Sequence, residues 1–62
     1  MTKKALVKLN EKQKFHLEGL QEMYHHHFDD ASSRLQEYLN GLRDAGIITE
    51  TDRKCLFCYY TL

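Results

Sequence analysis

The fold is decided by residues 11–44, which read EKQKFHLEGLQEMYHHHFDDASSRLQEYLNGLRD. This stretch contains no proline, and Gly19 and Gly41 are its two glycines, so good helix formers run almost without interruption. Its apolar residues recur every three or four positions, which is the spacing of one face of an α-helix. That face comprises Leu17, Leu20, Tyr24, Phe28, Ala31, Leu35, Tyr38 and Leu42, and Phe15, Met23, Leu39 and Ala45 lie on its flanks.

Both ends of this stretch carry helix boundary signals. Asn10 with Gln13 matches a capping box at the start, and Ala45-Gly46 supplies a left-handed cap at the end. Thr49 with Asp52 is a second capping box and predicts that another helix begins there. We therefore predict an all-α protein with a long amphipathic helix over about 11–44 and a short C-terminal helix over about 50–61.

The segment from Asp29 to Ser33 leaves one alternative open, because its residue types favour helix starts. An unbroken helix would be about 50 Å long at ~1.5 Å per residue. A compact chain of this size has a radius of gyration of only roughly 11 Å. The chain therefore either breaks near Asp30 into a three-helix monomer or stays long and pairs with a second copy. The apolar face keeps its phase through Phe28 and Ala31, which favours the continuous helix.

A continuous helix implies self-association. The short second helix covers only part of the long one, and each large apolar side chain contributes roughly 1.5–3 kcal/mol when it is buried. The sequence thus predicts a homodimeric bundle of helical hairpins. Its self-association contacts would be Leu17, Leu20, Tyr24, Phe28, Ala31, Leu35, Tyr38 and Leu42.

The formal charge is zero but unevenly distributed within what we expect to be a single domain over 1–62. Residues 1–14 carry a net charge of +4, and residues 15–52 carry −6. We expect residues 1–9 to be a flexible basic segment. The acidic body disfavours general duplex binding, and the N-terminal lysines keep an RNA- or DNA-binding regulator as an alternative. The candidate nucleic-acid contacts are Lys3, Lys4, Lys8, Lys12 and Lys14.

Cys55 and Cys58 form a C-x-x-C pair. Such a pair binds zinc when two further ligands are present, and His25 and His27 are the candidates. No second C-x-x-C follows, and thiols three residues apart on a helix are more typical of core side chains. We predict no metal and no cofactor, with a zinc-stabilised mini-domain as an alternative. Because no leader peptide and no membrane-spanning apolar run is recognisable, we expect a cytoplasmic protein without membrane contact.

No nucleophile, phosphate-loop or paired-carboxylate motif points to catalysis, and a chain this short leaves little room for a concave pocket. We therefore predict a non-enzymatic regulatory or accessory protein that acts by protein–protein interaction as a homodimer. Aromatic side chains are enriched at binding hot spots, and histidines beside carboxylates offer a polar contact surface. The candidate partner contacts are His25, His26, Asp29, Asp30 and Tyr60.

In its Met1-Thr2-Lys3 opening, its length and its two-helix layout, the chain resembles plasmid copy-number regulators of the Rop type. That resemblance implies a dimer of helical hairpins that binds paired RNA loops. In general format the chain also resembles the small helical accessory proteins of temperate bacteriophages. That resemblance implies regulation of a host or phage protein.

Overall fold

Four helices make up the fold in a computed structural model, which describes residues 2–62. They are α1 (Thr2–Leu6), α2 (Glu11–His25), α3 (Ala31–Asp44) and α4 (Glu50–Thr61). Within residues 2–62 no strand is formed. The all-α prediction is confirmed, and so is the short C-terminal helix over residues 50–61.

The prediction of one continuous helix over about 11–44 is wrong. Helix α2 ends at His25 and α3 begins at Ala31, so the alternative with a break near Asp30 describes the chain better. The two halves form a helical hairpin, and α4 packs against both of them. The radius of gyration is 10.7 Å and the longest dimension is 29 Å, far below the length of an unbroken helix.

Helix α2 ends in a Schellman motif. The His27 amide donates to the Tyr24 carbonyl at 3.1 Å, and the Phe28 amide donates to the Met23 carbonyl at 3.2 Å. This pattern requires a left-handed residue after the cap, and His27 adopts it with φ 62°. Glycine usually fills that position because it has no Cβ to crowd the next carbonyl. A histidine there gives the sequence no visible break, which explains why the periodicity favoured a continuous helix.

Helix α3 ends in the same way, this time at a glycine. Gly46 has φ 78°, and the Ile47 amide donates to the Leu42 carbonyl at 3.0 Å. Both capping boxes are formed as expected: Asn10 and Gln13 exchange side-chain to backbone hydrogen bonds of 2.8 Å, and Thr49 and Asp52 exchange bonds of 3.1 Å. The sequence signals therefore placed three of these four helix ends correctly.

The hydrophobic core lies within this single chain. Leu17, Leu35, Leu39 and Leu56 are completely buried, and they come from α2, α3 and α4. Tyr24 and Tyr38 pack against this core at its edge. The apolar face that was predicted to require a second copy of the chain is thus buried within one chain. The break at residues 26–30 makes this possible, because it lets α3 cover α2.

A flexible segment was expected over residues 1–9, and the part of it that the structure describes, residues 2–9, is folded against the rest of the chain, while Met1 lies outside the described residues. Residues 2–6 form α1, which packs on α4, and Ala5 and Leu9 are buried. The Lys8 ammonium also binds the Asp52 carboxylate in the first turn of α4. The buried Ala5 and Leu9 side chains and one ion pair therefore hold this segment against α4.

The buried face of α4 differs from the face that would bury both Cys55 and Cys58. Leu56 and Tyr60, which are four residues apart, are buried, whereas Cys55 is half-buried and Cys58 is exposed. Three helices contact α4, so the row that includes Leu56 and Tyr60 faces them. The expectation that both thiols lie in the core is wrong for Cys58.

An ionic cluster joins the start of α4 to the end of α3. Glu50 accepts from Arg43 at 2.6 Å and from Arg53 at 2.8 Å. The hydrogen bond from Arg53, followed by that from Arg43, lowers the pKa of Glu50 from 4.5 to about 2. Glu50 thus stays ionised in the fold at pH values where an unfolded chain would protonate it.

We expect His27→Gly to leave the free energy of unfolding unchanged or to raise it by up to about 1 kcal/mol, because glycine relieves the left-handed backbone. His26→Gly is the matched control, since His26 has φ −91° and should lose roughly 0.5–1 kcal/mol. Chemical denaturation followed by circular dichroism measures both. An equal loss at the two positions would contradict the turn described for His27.

Glu50→Gln should lower the melting temperature at pH 7 and make the fold less sensitive to acid. A carboxylate with a lowered pKa stabilises the fold above its unfolded value of 4.5 and loses that effect as pH falls toward about 2. The difference between wild type and variant should therefore shrink from pH 5 to pH 2. Glu37→Gln is the control, because Glu37 forms no ion pair within residues 2–62. A difference that does not depend on pH would refute the role given to Glu50.

Candidate functional site

An open groove with a volume of about 960 Å³ lies between α2 and α3. Its existence corrects the expectation that so short a chain leaves little room for a pocket. The break after His25 creates it, because two antiparallel helix surfaces now lie side by side. The groove is lined by Glu11, Lys12, Phe15, His16, Gly19, Leu20, Met23, Arg34, Glu37 and Tyr38.

Phe15 stands at the edge of this groove with 78% of its surface exposed. Sequence periodicity placed it on the flank of the buried face, and that placement is wrong. One helical turn further along α2, Gly19 also lines the groove, and a Cβ added there would have, apart from its chain neighbours and the backbone of its own helix, no atom within 4 Å. A large exposed ring therefore lies beside a position that has no side chain, and the groove is open at that point.

The floor of the groove is apolar. Leu20 is buried, and Met23 and Tyr38 pack against the core from its edge. The His16 ring lies over the Tyr38 ring with centroids 4.2 Å apart and planes tilted by 31°. Partial burial raises the pKa of Tyr38, so its phenol stays neutral over the physiological range. Such a floor suits an apolar or aromatic side chain of a ligand.

The rim of the groove carries charges of both signs in equal number. Glu11 and Lys12 are in the first turn of α2, and Arg34 and Glu37 lie on α3. Arg34 also donates to Asp30 at 2.8 Å, which lowers the pKa of that carboxyl. The groove is thus an apolar trough with a mixed polar border, which is the usual layout of a protein-binding surface.

The predicted self-association residues are not brought together on a free surface. Five of them are buried in the chain's own core: Leu17, Leu20, Ala31, Leu35 and Leu42. Tyr24 and Tyr38 are half-buried at its edge, and Phe28 is exposed in the turn. The reason for predicting a dimer along this face is thereby removed, since α3 and α4 already cover it.

The structure buries one of the predicted partner contacts and exposes the other four. Tyr60 is 3% exposed, so its prediction as an accessible contact is wrong; Tyr59 is the more exposed ring of the two. His25, His26, Asp29 and Asp30 are exposed around the α2–α3 turn. His25 contacts the Leu62 carbonyl oxygen through Nε2 at 3.1 Å, and His26 lies 3.5 Å from Glu22. These side chains lie at the opposite end of α2 from Phe15.

The lysines proposed for nucleic acid do not share one function in the fold. Lys8 binds Asp52, and Lys12 lies on the groove rim next to Glu11. Lys3 and Lys4 are exposed on α1, and Lys14 is half-buried. The binding of Lys8 by an acidic residue removes one charge from the predicted basic surface.

The zinc alternative gains no support from the geometry. Among the described residues, no three side chains of His, Cys, Asp or Glu gather where they could hold a metal ion. Cys55 and Cys58 are therefore not joined there by His25 or His27. Both thiols are free.

Comparisons of the chain with protein-family models, with curated proteins and with solved structures find no match. Neither the Rop-type nor the bacteriophage resemblance therefore has independent support. Within residues 2–62, none of the helices combines the length and the apolar character needed to cross a bilayer.

Reasoning from the sequence missed the groove, although the sequence contains a signal that points to it. Phe15 precedes Gly19 by four residues, so the two lie on the same side of α2. An aromatic residue outside the main apolar face, one turn before a helix-interior glycine, indicates an exposed ring beside an open position. The full groove could not be read in this way, because its other wall depends on the turn at His27.

Proposed function

We propose that this chain is a small non-enzymatic interaction protein that works by binding a protein segment in the α2–α3 groove. The exposure of Phe15 at the edge of an apolar trough carries the proposal. A phenylalanine left in water forgoes roughly 1.5–3 kcal/mol of burial free energy, and exposed aromatic side chains are frequent anchors of protein interfaces. The trough beside it supplies the surface against which a partner would bury that ring.

The groove specifies the chemistry of the segment. Its length follows α2 from Glu11 to Met23, which suits a helix of three to four turns laid along it. The floor of Leu20, Met23 and Tyr38 selects apolar side chains at helical spacing. The rim favours a segment with flanking charges of both signs, because a uniformly acidic or basic segment would meet like charges on part of the border.

A regulatory role is the form of this function that best fits the chain. The open, largely apolar trough supports binding of a surface rather than enclosure of a small substrate. The protein would act by occupying a site on its partner, so that the effect depends on affinity and concentration.

The proposal can be tested by placing a photo-crosslinking phenylalanine analogue at position 15 in the cell that encodes the protein. The same analogue at Val7 is a matched control, since Val7 is also 78% exposed but lies outside the groove. We expect position 15 to capture a defined protein that position 7 does not.

The captured protein, once purified, should bind wild type and lose roughly tenfold or more of its affinity for Phe15→Ala, with Val7→Ala unchanged. Isothermal titration calorimetry measures this difference. Equal crosslinking at the two positions, or equal affinity of Phe15→Ala and wild type, would refute the proposed function.

A further inference from the structure

We infer that Cys55 and Cys58 on α4 form a binding site for one monovalent copper ion, which lies between their two sulfur atoms. This site is separate from the α2–α3 groove, since none of the groove-lining residues comes from α4. The sequence-based prediction of no metal considered zinc, which takes four ligands, and within residues 2–62 not even three potential ligands gather. Monovalent copper is a softer ion that prefers thiolates, and two of them suffice to hold it in a linear arrangement.

Packing does not account for the exposed thiol of this pair. A free cysteine usually behaves as a small buried apolar residue, and the chemistry of its sulfur is what distinguishes it from one. Leu56 and Tyr60 supply the buried row of α4, and Cys58 is exposed outside that row. Cys55 is only half-buried. The pair therefore lies at the surface of α4, where an ion can reach it.

The spacing of the two thiols suits a bridging ion better than a disulfide. Cys55 and Cys58 lie inside α4, which extends from Glu50 to Thr61, and residues three apart on a helix share one side. The Cβ atoms of such residues are about 5–6 Å apart, whereas a disulfide needs a Cβ–Cβ distance of about 3.5–4.5 Å. A direct sulfur–sulfur bond would therefore distort the helix. An ion placed between the sulfurs spans the longer distance without moving the backbone.

The charges along α4 favour this complex. Two thiolates and one monovalent cation make a centre with one net negative charge. Residues 53–62 contain no acidic side chain, and Lys54, one helical turn before Cys58, forms no ion pair within residues 2–62. An ammonium group at that spacing attracts an anionic centre on the same side of the helix. Glu50 and Asp52, the acids of the first turn, each bind a cationic side chain already.

Anaerobic titration of the reduced full chain with Cu(I), in competition with the coloured chelator bicinchoninate, measures the affinity and the stoichiometry. We expect one copper ion per chain, and X-ray absorption at the copper edge should show two sulfur ligands and no nitrogen. Cys55→Ser and Cys58→Ser should each weaken binding by roughly 10²–10⁴-fold, because the second thiol acts at the high effective concentration of an intramolecular ligand.

A chain with two thiols at the wrong spacing is the matched control. Cys55→Ser combined with Thr51→Cys keeps the exposed Cys58 and places the second thiol on the same side of α4. Positions 51 and 58 are about 10 Å apart along the helix, at a rise of ~1.5 Å per residue, which is too far for one ion. Thr51 is exposed, so the fold should be kept, and circular dichroism checks this. The control should bind copper no better than the single serine variants.

Three affinity results would overturn the inference: a wild-type chain that takes no copper from bicinchoninate, binding that survives unchanged in either serine variant, or equal affinity of wild type and the control with shifted spacing. One copper ion shared by two chains would overturn it as well, because the site lies within one helix. So would histidine nitrogen ligands in the X-ray absorption spectrum, which would place the ion away from the two cysteines.

Discussion

The left-handed backbone of His27 is the constraint on which the rest of the structure depends. It ends α2 through two hydrogen bonds to carbonyls of the last turn and turns the chain so that α3 returns along α2. The apolar row that would otherwise need another molecule is then buried within one chain. The same reversal sets α3 alongside α2, and the groove beside Phe15 is the space that remains between them. The core and the candidate site therefore both depend on the turn at His27.

How much of this could be predicted depends on whether a helix end has a distinctive residue. Gly46 and the two capping boxes, at Asn10 and Thr49, have standard sequence signatures, and the ends that they mark were predicted correctly. His27 has none, because histidine, unlike glycine, is an ordinary helix residue, so nothing in the sequence marks the left-handed backbone found there. Hydrophobic spacing could not reveal the break either. Leu20 and Ala31 keep the right interval by sequence although the last five residues of α2 and five residues of turn lie between them.

The same reasoning explains which site residues were found. Periodicity identifies the residues that belong to the core, such as Leu35 and Leu39, but it does not state which molecule buries them. It misplaced Phe15 and Tyr60 because both lie near the border of an apolar face, where a small rotation of the helix decides exposure. Three helices contact α4, and that crowding selects Tyr60 for burial and leaves Tyr59 at the surface. Tertiary contacts of this kind have no local signature in the sequence.

The Asp52 carboxylate links parts of the chain that lie far apart. One of its oxygens accepts from the Thr49 amide and also binds the Lys8 ammonium, across a sequence separation of 44 residues. Fraying of the first turn of α4 would therefore weaken the attachment of α1, and detachment of α1 would weaken the cap of α4. If this link couples the two terminal helices, their amide protons should report a common free energy of opening rather than those of independently fraying ends. In so short a chain, this coupling would let the α2–α3 hairpin stabilise both α1 and α4.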